Sequence, residues 1–162
     1  MLEGAVPAFV TRSDRSTAEL AAGTVLPSSG TVFLSLADGD KPAGIVVAKR
    51  LRELGFGIVA TPGTADYLGR FGHMVDAVVG KVSEGAKVTA VNLIASGDIS
   101  FVINTPQGRG GRTDGEAIRK AANVHRVSSV TTVEAALAAV QGMAEQMHHP
   151  LDVRSLQEHH GR

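Results

Sequence analysis

Residues 57–64 read Gly57-Ile58-Val59-Ala60-Thr61-Pro62-Gly63-Thr64, a short apolar run that ends in a turn rich in hydroxyl groups and glycine. The apolar part predicts a buried strand of a parallel sheet, because such strands are covered on both faces. The turn would then lie at the carboxyl edge, where these sheets bind ligands. A phosphate suits the turn, because Gly63 permits close backbone approach, two threonines offer hydroxyls and the next helix presents free N–H groups. The alternative is an ordinary turn with Thr64 as helix cap.

Strand-like and helix-like segments alternate along the chain on both sides of this turn. The hydrophobic pattern predicts strands at 31–36, 57–60, 75–79, 99–103 and 127–130, and helices at 42–54, 65–70, 88–95, 114–122 and 132–147. This alternation predicts an α/β fold of Rossmann-like type, a three-layer α/β/α sandwich with a five-stranded parallel sheet. Right-handed crossovers would place every strand-to-helix loop along one edge of the sheet.

The chain is interpreted as one domain with two flanking segments. Residues 1–30 are expected to form a partly helical connector, residues 31–147 the domain, and residues 148–162 a polar tail. No metal site is expected, because the four histidines near the end lack the spacing of ligands on a fixed scaffold: His148, His149, His159 and His160.

The overall composition excludes several classes of partner. Sixteen basic residues balance sixteen acidic ones, so no global field draws the chain to nucleic acid or to an anionic membrane. Cysteine is absent, and no apolar run is long enough to span a bilayer. We therefore expect a cytoplasmic protein that binds neither nucleic acid nor membrane, and the sequence leaves self-association open.

Four of the loops that would meet at the carboxyl edge carry groups that favour an anion. They are Lys41 after the first strand, Thr61 and Thr64 after the second, Lys81 after the third, and Asn104 and Thr105 after the fourth. Ammonium groups, hydroxyls and a helix N-terminus together favour the compact dianion of a phosphate monoester. Taken alone, Lys41 is better explained as a solvated lysine and Asn104 as a turn residue. The glycine-rich loop 107–112 is expected to be mobile without ligand and to become ordered over it; the alternative is a simply disordered loop.

Several short motifs follow one another in a defined order over about residues 30–145. They are Phe33-Leu34-Ser35-Leu36, Gly39-Asp40-Lys41, Ala60-Thr61-Pro62-Gly63-Thr64, Lys81-Val82-Ser83-Glu84-Gly85 and Ile103-Asn104-Thr105. In this order they resemble the methylglyoxal-synthase-like superfamily, and within it most closely the C-terminal allosteric domain of the carbamoyl-phosphate synthase large subunit.

The resemblance implies a nucleotide-monophosphate site at the carboxyl edge of the sheet. Besides Gly63 of the turn, it implicates six positions that match or adjoin those binding UMP and IMP in the family: Lys41, Thr61, Thr64, Lys81, Asn104 and Thr105. Ser35 matches a position near the interface with the synthetase core. Ser129 and Thr131 match positions that can bind ornithine, although Ser129 replaces an aromatic residue.

The function that the resemblance implies is allosteric regulation of carbamoyl phosphate synthesis for the pyrimidine and arginine pathways. UMP would be the inhibitor, with IMP and ornithine as candidate activators. The partners would be the synthetase core of the large subunit and, through it, the glutaminase small subunit. No catalytic residue and no cofactor is expected in this domain, whereas the full enzyme would need ATP and Mg or Mn.

Two enzymes with the same fold are the alternatives. Methylglyoxal synthase eliminates phosphate from dihydroxyacetone phosphate and needs a carboxylate base beside the phosphate. That base belongs to a Gly-Gly-Asp segment in the third loop, where this chain has Ser83-Glu84-Gly85, so Glu84 is the one conceivable substitute. The cyclohydrolase half of the bifunctional purine enzyme ranks last, because its lysine- and histidine-bearing segment after the third strand is not seen.

Overall fold

A computed structural model describes residues 24–80, 85–106 and 112–148 of the chain. The connector up to residue 23, the tail from residue 149 and two loop segments, 81–84 and 107–111, lie outside these described residues. Lys81, Glu84 and most of the loop expected to close over the ligand fall in those two segments, so their roles stay predictions.

Strands and helices alternate through the described residues, as the sequence predicts. The strands are β1 (Thr31–Ser35), β2 (Gly57–Ala60), β3 (Ala77–Val78), β4 (Phe101–Asn104) and β5 (Ser128–Val130). The helices are α1 (Lys41–Glu53), α2 (Pro62–Arg70), α3 (Ala90–Ala95), α4 (Arg112–Val124) and α5 (Val133–His148), and a 3-10 turn at Asp38–Asp40 precedes α1.

Within the described residues the strands form one five-stranded sheet in the order β3-β2-β1-β4-β5. Every neighbouring pair is parallel, so the predicted five-stranded parallel sheet is confirmed. The chain runs outward from β1 to β3 on one side and from β4 to β5 on the other. The loops after β1 and β4 therefore diverge at a topological switch point, the place where sheets of this type leave a crevice for ligands.

Helices cover both faces of the sheet, which confirms the predicted three-layer sandwich. Side chains alternate along the central strand, so Val32 and Leu34 pack under α1, α2 and α5 while Phe33 packs under α3 and α4. All three are fully buried. Burial of a side chain of this size contributes about 1.5–3 kcal/mol, so this strand anchors both layers and fixes the edge where the loops meet.

Some element boundaries differ from the sequence prediction. β3 is only two residues long instead of five, and both are exposed because the strand lies at the edge of the sheet. α4 begins at Arg112, two residues before the predicted start at 114, so Asp114 stands in its first turn. Thr132, the predicted first residue of α5, is its cap, since its hydroxyl accepts the N–H of Ala135 at 3.2 Å. None of the described helices is long and apolar enough to cross a bilayer.

Candidate functional site

The turn after β2 enters α2 directly. Pro62 is the first helical residue, because its fixed backbone angle suits that position. Thr64 therefore lies inside the first turn, and its interpretation as the helix cap is wrong. Thr61 holds the cap position with an extended backbone, but its hydroxyl makes no capping hydrogen bond. The N–H groups of Gly63 and Thr64 thus lack this cap and lie at the end of a helix that attracts anions.

The hydroxyls of Thr64 and Thr105 hold the loop after β1 from its two sides. Thr64 Oγ1 accepts the N–H of Leu36 at 3.0 Å, and Thr105 Oγ1 accepts the N–H of Ala37 at 2.7 Å. Both threonines are 1% exposed. A hydroxyl that accepts a hydrogen bond still has its own hydrogen to donate. Both side chains therefore support the fold at the carboxyl edge and keep a donor there.

Thr61 joins the same cluster through its side chain. Its hydroxyl donates to Thr64 Oγ1 at 3.1 Å, and its backbone N–H donates to Leu34 O at 3.2 Å. Thr105 mirrors this arrangement on the other side of β1, where its N–H donates to Ser35 O at 2.9 Å. The ends of β2 and β4 are thus both tied to the end of β1, and the three loops form one hydrogen-bonded unit.

Lys41 begins α1, yet its amine reaches the first turn of α2. Lys41 Nζ lies 3.5 Å from the position that a Cβ would take on Gly63. The side chain is only 14% exposed, and its amine donates to Asp38 Oδ1 at 2.6 Å. The amine of a mostly buried lysine side chain therefore lies beside the N-terminus of α2, at ordinary contact distance from Gly63.

Asn104 ends β4 and is 8% exposed. Its amide nitrogen lies 3.2 Å from the position that a Cβ would take on Gly115, in the first turn of α4. Gly115 thus lets the first turn of α4 approach the Asn104 amide closely. Because β4 is paired to β1 with Asn104 opposite Ser35, both residues stand at the same level of the carboxyl edge.

The structure brings most of the predicted phosphate-binding residues together. Their loops follow β1, β2 and β4, which are adjacent in the sheet: Lys41, Thr61, Gly63, Thr64, Asn104 and Thr105. Ser129 and Thr131 are not among them. Both belong to the far edge of the sheet, since Ser129 lies in β5 and Thr131 follows it, two strands away from β1. The predicted ornithine positions therefore form a separate place on the surface.

Sequence reasoning missed Asp38, which stands immediately before the Gly39-Asp40-Lys41 motif. The hydrogen bond and charge of Lys41 hold the pKa of the Asp38 carboxyl below its ordinary value. The signal was an aspartate three residues before a lysine across a glycine-containing turn, a spacing that lets the two side chains meet. The close approach of Gly115 to Asn104 was also missed. A glycine in the first turn of a helix was the sequence signal for it.

Among the described residues, no three histidine, aspartate or glutamate side chains lie close enough together to hold a metal ion. The donor set at the carboxyl edge is instead an amine, hydroxyls, an amide and helix N–H groups. These are groups that bind an anion with several oxygen atoms.

Comparison with known proteins matches the part of the chain that contains strands β2 to β5 of the sheet and most of the candidate site. Residues 44–131 match the family model described as the MGS-like domain. The chain is 45% identical over 140 residues to the carbamoyl phosphate synthase large chain of Acidobacterium capsulatum, a match that covers 86% of this chain and 13% of that protein. It is 47% identical over 139 residues to the large chain of Beutenbergia cavernae, covering 83% of this chain and 12% of that protein.

A third relative is the C-terminal section of the carbamoyl phosphate synthase large chain of Methanopyrus kandleri. It is 47% identical over 127 residues, which cover 78% of this chain and 23% of that protein. The chain thus spans less than a quarter of the length of each of these relatives, and the match to a separate C-terminal section agrees with the predicted resemblance. The chain belongs to the MGS-like domain family, in the form found in carbamoyl phosphate synthase large chains.

Proposed function

We propose that this chain is an allosteric regulatory domain that binds a nucleoside monophosphate through its phosphate at the carboxyl edge of the sheet. The observation that carries the proposal is the position of Lys41, whose side chain is mostly buried and whose amine lies beside Gly63 at the first turn of α2. A cation is normally unfavourable at this end of a helix, because the helix dipole is positive there. A cation and a helix N-terminus that converge on one point are both complemented by an anion.

Phosphate fits this point better than a carboxylate does. The buried hydroxyls of Thr64 and Thr105 stand on either side of the β1 loop, and each retains a hydrogen to donate. A phosphate monoester has three peripheral oxygens and close to two negative charges, so it can accept from several of these donors at once. The balanced net charge of the chain makes this local cluster the source of attraction.

The ligands we propose are UMP as inhibitor, with IMP as a candidate activator and ornithine as a second candidate activator at Ser129 and Thr131. The relatives are large chains of carbamoyl phosphate synthase, of which this chain matches a small part. We therefore propose that the domain acts on the synthetase core of such a large chain and, through it, on the glutaminase subunit. A coupling free energy of about 1–3 kcal/mol is typical for such regulation.

Calorimetric titration of the 162-residue chain with UMP, IMP and dihydroxyacetone phosphate tests the proposal. Replacement of Lys41 by alanine should weaken UMP or IMP binding by roughly 10- to 150-fold, because a hydrogen bond to a charged group contributes about 1.5–3 kcal/mol. Lys49→Ala is the matched control. Lys49 lies on the same helix, is 65% exposed and pairs with Glu53, so its loss removes the same charge away from the edge.

Equal binding by the parent, Lys41→Ala and Lys49→Ala would place the ligand elsewhere. Titration with dihydroxyacetone phosphate, combined with an assay for methylglyoxal, distinguishes the lyase alternative. We expect no methylglyoxal from the pure chain, and its rapid formation would overturn the regulatory proposal.

A further inference from the structure

The two partners of the ion pair between Asp38 and Lys41 differ widely in exposure. The Lys41 side chain is 14% exposed, whereas that of Asp38 is 92% exposed, and the two groups meet at 2.6 Å. The carboxylate therefore reaches the amine from the solvent side. A ligand that approached the amine would come from the same side.

The carboxylate also compensates for an unfavourable position of the amine. Lys41 is the first residue of α1, and its amine lies beside Gly63 in the first turn of α2. Both places are positive ends of helix dipoles, where an unpaired cation is destabilising. The Lys41 side chain is only 14% exposed, so contact with water is restricted and solvation offsets this effect less than at an open surface. In the absence of another anion, Asp38 supplies the negative charge that the amine requires.

Asp38 and a phosphate cannot both occupy this position favourably. An ammonium has three donors and could touch two anions, but a carboxylate and a dianion that share one amine would repel each other at short range. Asp38 can move away easily because it is almost fully exposed, whereas Lys41 is confined. The exchange therefore requires movement of one surface side chain.

We propose that the Asp38 carboxylate competes with the ligand phosphate for the Lys41 amine. Asp38 pairs with the amine when no ligand is bound and moves away from it when a phosphate binds. This inference rests on the proposed function. It adds Asp38, on the solvent side of Lys41, as a residue that determines the affinity for the ligand. The competition sets the affinity to a lower value than the donors alone would give, so the site responds over a higher range of ligand concentration.

The test compares Asp38→Asn with the parent chain by calorimetric titration with UMP, IMP and inorganic phosphate. The substitution keeps the size of the side chain and removes its charge. We expect tighter binding by ~2- to 5-fold, the range that exposed ion pairs usually contribute. The gain should shrink at high salt, because the charge of Asp38 is screened there in the parent chain. Asp38→Glu keeps the charge and should bind with close to parental affinity.

Asp40→Asn is the matched control, because it removes one negative charge from the same 3-10 turn. Among the described residues Asp40 makes no salt bridge, and its side chain does not cap α1. Equal tightening by Asp38→Asn and Asp40→Asn would reveal a general charge effect and overturn the inference, as would unchanged or weaker binding by Asp38→Asn. If none of the proteins binds any of the three probes, the proposed function fails and the inference fails with it.

Discussion

Each end of strand β2 lies beside an aspartate that is paired with a basic side chain. The two ion pairs differ in whether they also bond to the backbone. At the amino end, one oxygen of Asp76 accepts the backbone N–H of Ile58 at 2.7 Å and the Arg52 guanidinium at 2.8 Å. Arg52 also donates to Met74 O at 2.9 Å. This pair satisfies a backbone N–H of β2 immediately before β2 pairs with the edge strand β3, which is only two residues long.

At the carboxyl end, the ion pair of Asp38 and Lys41 makes no hydrogen bond to the backbone of the described residues. Asp38 is more exposed than Asp76, at 92% against 52%, while Lys41 is less exposed than Arg52, at 14% against 36%. The amino-end pair uses its charges to join strands. The carboxyl-end pair keeps a confined cation neutralised by a carboxylate that can leave. Similar residue types thus serve stability at one end of a strand and, in our proposal, ligand binding at the other.

Thr64 has both roles, because it belongs to the proposed binding site and also stabilises the fold. Thr64→Val keeps the shape of the side chain but removes the oxygen that accepts two buried hydrogen bonds, from the Leu36 N–H and the Thr61 hydroxyl. A hydrogen bond contributes about 0.5–1.5 kcal/mol, so loss of the two should lower stability in urea unfolding by about 1–3 kcal/mol, together with weaker UMP or IMP binding. This loss comes from the β1 loop and not from a helix cap.

Thr64→Ser provides the control for this prediction. Serine keeps the hydroxyl that accepts from Leu36, so most of the stability and the affinity should return. A Thr64→Val chain as stable as the parent would show that the hydrogen bond across the two loops contributes nothing measurable.

Asp76→Ala tests the ion pair at the amino end of β2. It removes the acceptor of the Ile58 N–H and the partner of Arg52. We expect destabilisation by about 1–2 kcal/mol, a value reduced for the exposure of the ion pair. For a chain of this length, the melting temperature should fall by roughly 2–8 °C. UMP and IMP affinity should not change, because Asp76 lies at the opposite edge from the proposed site.

Asp38→Asn is the counterpart of that substitution. Its main expected effect is on affinity, and its melting temperature should fall by less than that of Asp76→Ala, because an ion pair with so exposed a partner contributes little to stability. If Asp76→Ala weakened nucleotide binding as strongly as Lys41→Ala, the two ends of β2 would be coupled and the division of roles would be wrong.

The sequence predicted the sheet and its layers because hydrophobic periodicity reports which faces are buried. It also predicted which loops meet, since parallel strands joined by helices share one carboxyl edge. It did not predict the hydrogen bonds of Thr64 to Leu36 or of Thr105 to Ala37, which join residues 28 and 68 positions apart. Such bonds depend on strand order and register, and no local pattern encodes them.

The boundaries that differed have local causes that the pattern could not show. The regular pairing of β3 begins only after Asp76, where a side-chain carboxylate accepts the Ile58 N–H. The start of α2 at Pro62 was hidden because proline and glycine together usually indicate a turn. The pairing of Asp38 with Lys41 depends on the 3-10 turn between them, whose geometry follows from the fold around it.

The smallest expected effect is the pH dependence of the amino-end pair. The Ile58 N–H and Arg52 stabilise the Asp76 carboxylate and lower its pKa below the ordinary 3.8. The folded chain then binds this proton more weakly than the unfolded chain, so the stabilisation is complete well above pH 3.8 and is lost as the pH falls through the lowered pKa. Asp76→Asn retains an acceptor for Ile58 but no charge, so near neutral pH it should be less stable than the parent by at most ~1 kcal/mol. Urea unfolding of both chains between about pH 7 and about pH 3 measures the difference in their free energies of unfolding. The contributions of the other carboxyl groups cancel in this difference, because both chains share them. The two stability curves should converge toward the acid end. A difference that widened on acidification would mean that Asp76 is stabilised in its protonated form, and the account of this end of β2 as an ionic strand junction would be wrong.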